Sequence, residues 1–365
     1  MTVFVLGTNQ ILAEWELHAL LPTVAFSKYL LGLTASALNL DDQAAQQLQK
    51  RLGGTREILW LHDQIFTSWE EIKEGLAPWI TEQSGREITL IADHLSLKER
   101  TDALKEMKEL YSRPVRFRID KRYLANEGGT VFWLIQESPG QFRFGRSLSQ
   151  QDIEEYSDRD YGKPSRSMRR GMLPPKLAQI MLNGAKPNES DVIWDPFCGT
   201  GTVNIEAVLM GFKTLASDRD SSAIAETKEN VQSLLSNEQQ AFVLNIWQQD
   251  ITQPWSELSM PATMIVGEGY LGEPQTNKMD TPSELRFFWQ KVEPLYQKLF
   301  QRLNNSTIRR VVLATPVLAT NQGLSRLAKR TWNILALANW QVEFQTDYMR
   351  PNQIVGREIT CLVRN

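Results

Sequence analysis

Cysteine and histidine are scarce: Cys198 and Cys361 are the two cysteines, and His18, His62 and His94 the three histidines, in a chain of 365 residues. Neither cysteine has a CxxC neighbour and no histidine stands at metal-ligand spacing, so neither a disulfide framework nor a metal site is expected. The histidines read as structural or surface groups. No run of about 18 uncharged apolar residues occurs, which leaves no membrane-spanning helix to expect. The opening MTVFVLGTNQILAEWELHALLP lacks the basic segment and small-residue cleavage site of a secretory signal, and a cytoplasmic location is expected. Charge of one sign is missing too. The net charge of -3 gives no global attraction to phosphates, so contact with nucleic acid must come from local basic patches.

What is present is ordinary globular material. Hydrophobic residues make up 42% and charged residues 23%, which argues against disorder and collagen-like repeats. At roughly 100–200 residues per domain the length suggests two or three domains. Two basic patches stand out: Arg113, Arg116, Arg118, Lys121 and Arg122, interleaved with Phe117 and Tyr123, and then Arg159, Lys163, Arg166, Arg169, Arg170 and Lys176. Lys and Arg side chains supply a salt-sensitive, sequence-independent attraction to phosphates. The tryptophans, including Trp60, Trp69, Trp79, Trp133, Trp194, Trp289 and Trp332, fall mostly on apolar periodic faces and read as core.

Along the chain, residues 3–6 read as a buried strand and 11–21 as a helix that Pro22 ends. Residues 55–136 mix strands and helices in an α+β order. From 138 to 170 proline, glycine and charge dominate, the composition of a linker or an ordered functional loop. Apolar strands then alternate with amphipathic helices to the end of the sequence, the pattern of a parallel, doubly wound sheet.

The densest signal is VIWDPFCGTGTVNIEA at 192–207. A strand ends at Asp195, Gly199 and Gly201 make a tight turn, and a helix begins near Thr202. Glycine there lets the backbone approach a nucleotide-like ligand closely. The third glycine of a dinucleotide fingerprint is absent, and no Gly-Lys-Ser/Thr closes a P-loop. About 20 residues on, a strand ends in Asp218, where a carboxylate accepts hydrogen bonds from ribose hydroxyls. Asp220 is the near competitor, although it equally suits a helix start.

The segment DPFCGTGTVNIEA resembles motif I of S-adenosylmethionine-dependent methyltransferases that act on amino groups of RNA or DNA. The lead-in DYGKPSRSMRRGMLPPKLAQIMLNGA, the N-terminal FVLGTNQILAEWELHALL and the closing YMRPNQIVGREITCLV resemble the THUMP-containing tRNA guanosine-N2 methyltransferases of the Trm-eleven and TrmG-ten type. The resemblance is strongest over 159–220 and 346–363 and weakest over 55–145. It implies an α/β chain: a ferredoxin-like part at 1–50, a THUMP-like RNA-binding domain at 51–145, a linker or functional loop at 146–172, and a Rossmann-like methyltransferase domain at 173–365. It also implies S-adenosylmethionine as cofactor, tRNA as partner, and no metal or membrane. A small activator subunit or a homo-oligomer is left open.

By the same resemblance Asp195, Phe197, Cys198, Gly199, Gly201, Asp218 and Asp250 hold the cofactor, with Asp195 near its methionyl end and Asp250 at its adenine. Arg166, Arg169 and Arg170, with Tyr161 beside them, come just before the turn and suit clamping substrate phosphates or holding the cofactor's methionine carboxylate, while Arg350, in a loop with Pro351, Asn352, Gln353 and Arg357, suits substrate contact. The family's catalytic motif is Asp/Asn-Pro-Pro-Tyr/Phe, which takes a proton from the exocyclic amine and stacks the base. Here the sequence reads Gly267-Glu268-Gly269-Tyr270. Aligned on Tyr270, the acidic position falls on Gly267 and Glu268 replaces the first proline. Two readings follow. Either Glu268 supplies the acceptor from a rearranged loop, or the chain is a non-catalytic protein that binds S-adenosylmethionine and tRNA. Asp at 267 with Pro at 268 and 269 would restore rate in the second case, and Glu268→Ala would abolish it in the first. Amino methylation of DNA or rRNA is the alternative within the enzyme class.

Overall fold

The computed structural model describes residues 1–68, 70–72, 74–75, 88–91, 98, 101–102, 105, 130–165, 172–279, 281–336 and 339–364. The described chain divides into two units. The first holds Met1–Glu14 and Leu21–Ile153, the second Trp15–Leu20 and Glu154–Asn365.

In the first unit β1 (Thr2–Leu6) is followed by α1 (Gln10–Leu20), β2 (Ser27–Tyr29), β3 (Gly32–Ala35), α2 (Asp42–Arg51), β4 (Thr55–Leu61), β5 (Ile88–Ile91), β6 (Thr130–Ser138) and β7 (Gln141–Gln150). Helix α2 starts where the Asp41 side chain accepts from the Ala44 amide at 2.7 Å, satisfying one of the amides a helix start leaves unpaired. The seven strands form one sheet in the order β2-β3-β1-β4-β7-β6-β5. Its centre joins β1 to β4 and β4 to β7, so residues from 1–50 and 51–145 share a single hydrogen-bonded sheet. Val3, Val5, Leu59, Trp133 and Ile135 bury one apolar cluster on it. The basic stretch at 113–123 and Trp69, Trp79 and His94 lie outside the described residues.

Beyond the Trp15–Leu20 part of α1, the second unit resumes in α3 (Ile153–Tyr161), so part of the 146–172 segment is the end of β7 and a helix. It continues through α4 (Pro175–Gly184), β8 (Val192–Asp195), α5 (Thr202–Leu209), β9 (Lys213–Asp218), α6 (Ser221–Leu234), α7 (Asn237–Gln240), β10 (Val243–Gln248) and β11 (Met264–Glu268). Helix α8 (Pro282–Leu303), β12 (Arg310–Thr320), β13 (Gly323–Ser325), α9 (Lys329–Ala336), β14 (Trp340–Tyr348) and β15 (Val355–Arg364) complete it. The sheet order is β10-β9-β8-β11-β12-β15-β14, with β13 on β12. From β10 to β12 the pairings are parallel, while β15 and β14 run antiparallel. The parallel core strands carry continuous apolar runs because both faces are covered. Trp194 is fully buried between this sheet and α8, beside Trp247 and Leu299.

Two features of this unit come from far apart in sequence. The Trp15 ring stacks on Phe344 at 4.2 Å with planes 3° apart, and a Cβ at Gly184 would lie 1.9 Å from that indole. Asn183 Nδ2 donates to Glu16 at 2.7 Å, both side chains buried.

Glu206 on α5 is buried and accepts from Arg159 Nε of α3 at 2.7 Å. Burial outweighs the attraction of Arg159 and pushes its carboxyl up from 4.5 to about 7. Between those values the folded protein retains a proton that the unfolded chain has released. Stability is therefore expected to fall by on the order of 3 kcal/mol as pH rises through that window, and to change little from this group above it. Chemical denaturation from pH 5 to 8 should show this slope in the native protein and a flatter one in Glu206→Gln; parallel slopes would refute the assignment.

Candidate active site

The turn after β8 is built by backbone that few residues can follow. Gly199 has φ 53° and Gly201, the N-cap of α5, φ 81°, the left-handed region that glycine reaches without a steric cost. Gly201 is excluded from substitution a second time, since a Cβ would stand 2.9 Å from Thr227 Cγ2. Side chains from α6 hold the turn from behind. Thr227 Oγ1 donates to the Gly199 carbonyl at 2.9 Å, and Asn230 Nδ2 donates to the Thr200 carbonyl at 2.9 Å. Three residues apart on one helix, they present the same face.

Lys163 closes the other side. Lys163 is 3% exposed, and its ammonium donates to the hydroxyls of Thr200 at 3.2 Å and Thr202 at 3.0 Å. Lys163 thus belongs to the turn's support and is not part of an outward basic patch. Arg159 is corrected in the same way, since it serves Glu206 and Glu155. Lys176 lies over the Tyr156 ring at 5.0 Å. The sequence shows the charges, but which way a lysine faces depends on what packs against it.

In front of the turn is a cavity of about 310 Å³ at the carboxyl ends of the parallel strands, the place where open α/β sheets bind ligands. It is lined by Asp195 and Phe197–Gly199, by Asp218 at the end of β9, by Asp250 after β10, and by Glu268 and Tyr270 at the end of β11. Gly201 lies behind this lining. Asp218 Oδ2 accepts from the Gly199 amide at 3.1 Å and its Oδ1 from the Asp220 amide at 3.0 Å. Asp220 is the N-cap of α6 and also lines the cavity. Asp250 accepts from the amide and hydroxyl of Thr252. Arg166, Arg169 and Arg170 lie outside the described residues. Tyr161 is exposed. Arg350 is exposed between β14 and β15 and does not line the cavity.

Asp195 is fully buried and accepts from the Phe197 amide at 3.0 Å. Burial, reinforced by the charges of Asp218 and Glu268, raises its carboxyl well above the usual range. Burial also raises the Cys198 thiol, so Cys198 offers its backbone and not a thiolate. Besides Asp195, five acidic side chains (Asp218, Asp220, Asp250, Glu268 and Glu273) and one guanidinium line the cavity, a balance that favours a ligand of net positive charge. Among the described residues no cluster of His, Cys, Asp and Glu has the arrangement of a metal site.

The end of β11 departs from the sequence alignment in a specific way. The strand runs unbroken to Glu268, which pairs with Ala314, so no rearranged loop is needed to bring Glu268 into the cavity. The space beside Gly267 is filled: a Cβ there would stand 2.3 Å from Asp195 Oδ1. Gly269 is closed by Tyr296, whose hydroxyl would lie 2.4 Å from a Cβ and donates to the Tyr270 carbonyl at 3.0 Å. The Tyr270 hydroxyl donates to Glu273 at 3.0 Å and the Arg219 guanidinium sits 5.6 Å from its ring. Lys163, Thr227, Asn230 and Tyr296 were not singled out for these roles by the sequence. A lysine followed by proline in a glycine-bearing lead-in was a usable signal for Lys163; nothing local marks Tyr296.

Comparison with known proteins bears on this geometry. Residues 165–254 match the RMKL-like methyltransferase domain. A 62-residue stretch is 45% identical to the tRNA (guanine(10)-N2)-dimethyltransferase of Methanothermobacter thermautotrophicus, covering 17% of this chain and 18% of that protein. A 74-residue stretch is 42% identical to the enzyme of the same name from Methanocaldococcus jannaschii, covering 19% and 21%. The matched regions therefore span about a fifth of those relatives. The crystal structure of TrmN from Thermus thermophilus aligns over 100% of this chain and 99% of its own, with a TM-score of 0.56 and 15% identity. The chain has that fold, and its second unit is a Rossmann-like methyltransferase fold. No helix among the described residues is long and apolar enough to cross a membrane.

Proposed function

We propose that this protein transfers a methyl group from S-adenosylmethionine to the exocyclic N2 of a guanine in tRNA. The observation that carries the reading is that Glu268 and Tyr270 open into the same cavity as the glycine turn and Asp218, inside a methyltransferase-type sheet. The tRNA guanine-N2 activity named for the two archaeal relatives supports the substrate class. The cavity's residues fit the cofactor, because acidic lining suits its net positive charge and the bare backbone at Gly199 admits close approach. When bound, S-adenosylmethionine supplies a methyl carbon on a cationic sulfur, and that carbon–sulfur bond breaks as the carbon–nitrogen bond forms. Asp218 is placed for the ribose hydroxyls and Asp250 for the adenine amine. Tyr270 stacks the guanine, and the Glu268 carboxylate takes the proton that the amine loses. On this reading 173–365 is the methyltransferase domain, 1–50 and 51–145 are the ferredoxin-like and THUMP-like parts that grip tRNA, and 146–172 joins them with Arg166, Arg169 and Arg170 on the RNA. A cytoplasmic location goes with that substrate.

Incubation with methyl-labelled S-adenosylmethionine and tRNA lacking its own modifications should place label on N2 of guanine. A duplex-DNA control should stay unlabelled. Glu268→Ala should lose about 100-fold or more in rate while binding the cofactor as before. Cofactor binding without transfer to tRNA would leave the non-catalytic reading in its place.

A further inference from the structure

Glu268 does not stand alone in the cavity. Its Oε2 accepts from Arg357 Nε of β15, and the two side chains are 13% and 9% exposed. The sequence placed Arg357 in the loop between the last strands as a substrate contact; it lies within β15 and points inward. Register explains how the pair forms. Glu268 pairs with Ala314 of β12, Ala314 with Ile359 of β15, and Pro316, two residues along β12, with Arg357. Residues two apart along a strand share a face, so Glu268, Ala314, Pro316 and Arg357 lie on one side of the sheet. The bridge crosses β12 above the short Ala314 side chain. The Gly269 amide donates to the Ala314 carbonyl at 3.0 Å, so position 316 would aim its amide past the last pair of β11. Proline has no amide hydrogen to give there, and the pairing of β11 with β12 ends at Glu268 and Ala314.

Arg357 also brings Nη2 to 3.5 Å from the carbonyl of Met172, which lines the cavity. No other carboxylate pairs with it among the described residues. A guanidinium so engaged is ill placed to hold an RNA phosphate. It is well placed to fix a carboxylate, since its planar donors set the orientation of the oxygens they bind. With Oε2 taken, Oε1 is the atom left to face the cavity.

We infer that Arg357 is the positioning residue for Glu268: it holds Oε2 and turns Oε1 toward the amine. The inference rests on the proposed methyl transfer. As the guanine N2 lone pair bonds the methyl carbon, the nitrogen becomes positive and one of its hydrogens leaves as a proton to Oε1. Oε2 meanwhile stays on Arg357, and the proton passes to solvent through the cavity mouth.

The test compares steady-state transfer to unmodified tRNA in the native protein, Arg357→Lys, Arg357→Met, Glu268→Gln and the Glu268→Gln/Arg357→Met double variant. Arg357→Met should lower kcat about 100-fold with the KM for cofactor and tRNA within about twofold, and Arg357→Lys should recover about tenfold of that loss. In the Glu268→Gln background the second substitution should change kcat less than threefold, because the group it positions is gone. If Arg357→Met does not fold, Arg357→Lys carries the comparison through its intermediate kcat and unchanged KM. Raised KM for tRNA with kcat intact would make Arg357 an RNA contact and overturn the inference, as would equal losses in both backgrounds. A native protein that transfers no methyl to tRNA would overturn the functional reading and the inference together, whereas an active one indifferent to Arg357 would overturn only the inference.

Discussion

Gly267→Asp, alone or with proline at 268 and 269, is expected to unfold at least about 3 kcal/mol more readily than the native protein and to transfer no methyl. The alignment on Tyr270 argues the opposite, since it reads this change as the repair of a decayed motif. The difference lies in what occupies the space. A Cβ at 267 would meet Asp195 Oδ1 at 2.3 Å, and one at 269 would meet the Tyr296 hydroxyl at 2.4 Å. A second carboxylate would also be forced against Asp195, which burial already holds well above the usual carboxylate range. Denaturant midpoints and labelled-methyl transfer measured side by side decide the matter. Native stability with raised activity would mean that Asp195 does not pack on β11.

Lys163→Glu comes next, with an expected loss of about 3–5 kcal/mol in stability and of measurable cofactor binding. The ammonium holds the Thr200 and Thr202 hydroxyls from within the protein, and its charge lowers the Glu206 carboxyl that burial has pushed up to about 7. A glutamate in that place would put an acid beside Glu206 and remove the donor that both hydroxyls accept from. Lys163→Met separates charge from position: without a new acid it should keep most of the stability while weakening the cofactor. Calorimetry of binding and denaturation reads both. If Lys163→Glu binds cofactor normally and weakens only RNA binding, Lys163 faces the substrate after all.

Legibility followed the range of the physics. The turn at 195–201 could be read in advance because its demands are local: glycines at positive φ, a strand before and a helix after. Asp218 was legible for the same reason, its distance from the turn being set by one helix and one strand. Glu268 was legible as a residue but not as a geometry. Whether Gly267 is a lost aspartate or a space kept clear depends on Asp195, 72 positions earlier by residue number. Lys163 and Arg159 looked like surface charge because sequence shows sign and not direction. Arg357 needed the register of β11, β12 and β15 before its partner could be seen. The single sheet through residues 2–150 was hidden likewise, since pairing of β1 with β4 is not written in either strand.

The stacking of Trp15 on Phe344 and the bond from Asn183 to Glu16 have a consequence for how the chain is made. Residues 16 and 183 are 167 positions apart, so a nascent polypeptide releases one half of this contact long before the other exists. The second unit cannot close in order of synthesis; its earliest segment has to wait for its latest strands. Contacts of such long sequence separation slow folding. A fragment beginning at residue 154 would remove the carboxylate that Asn183 donates to and bare the faces of Gly184 and Phe344 that Trp15 covers.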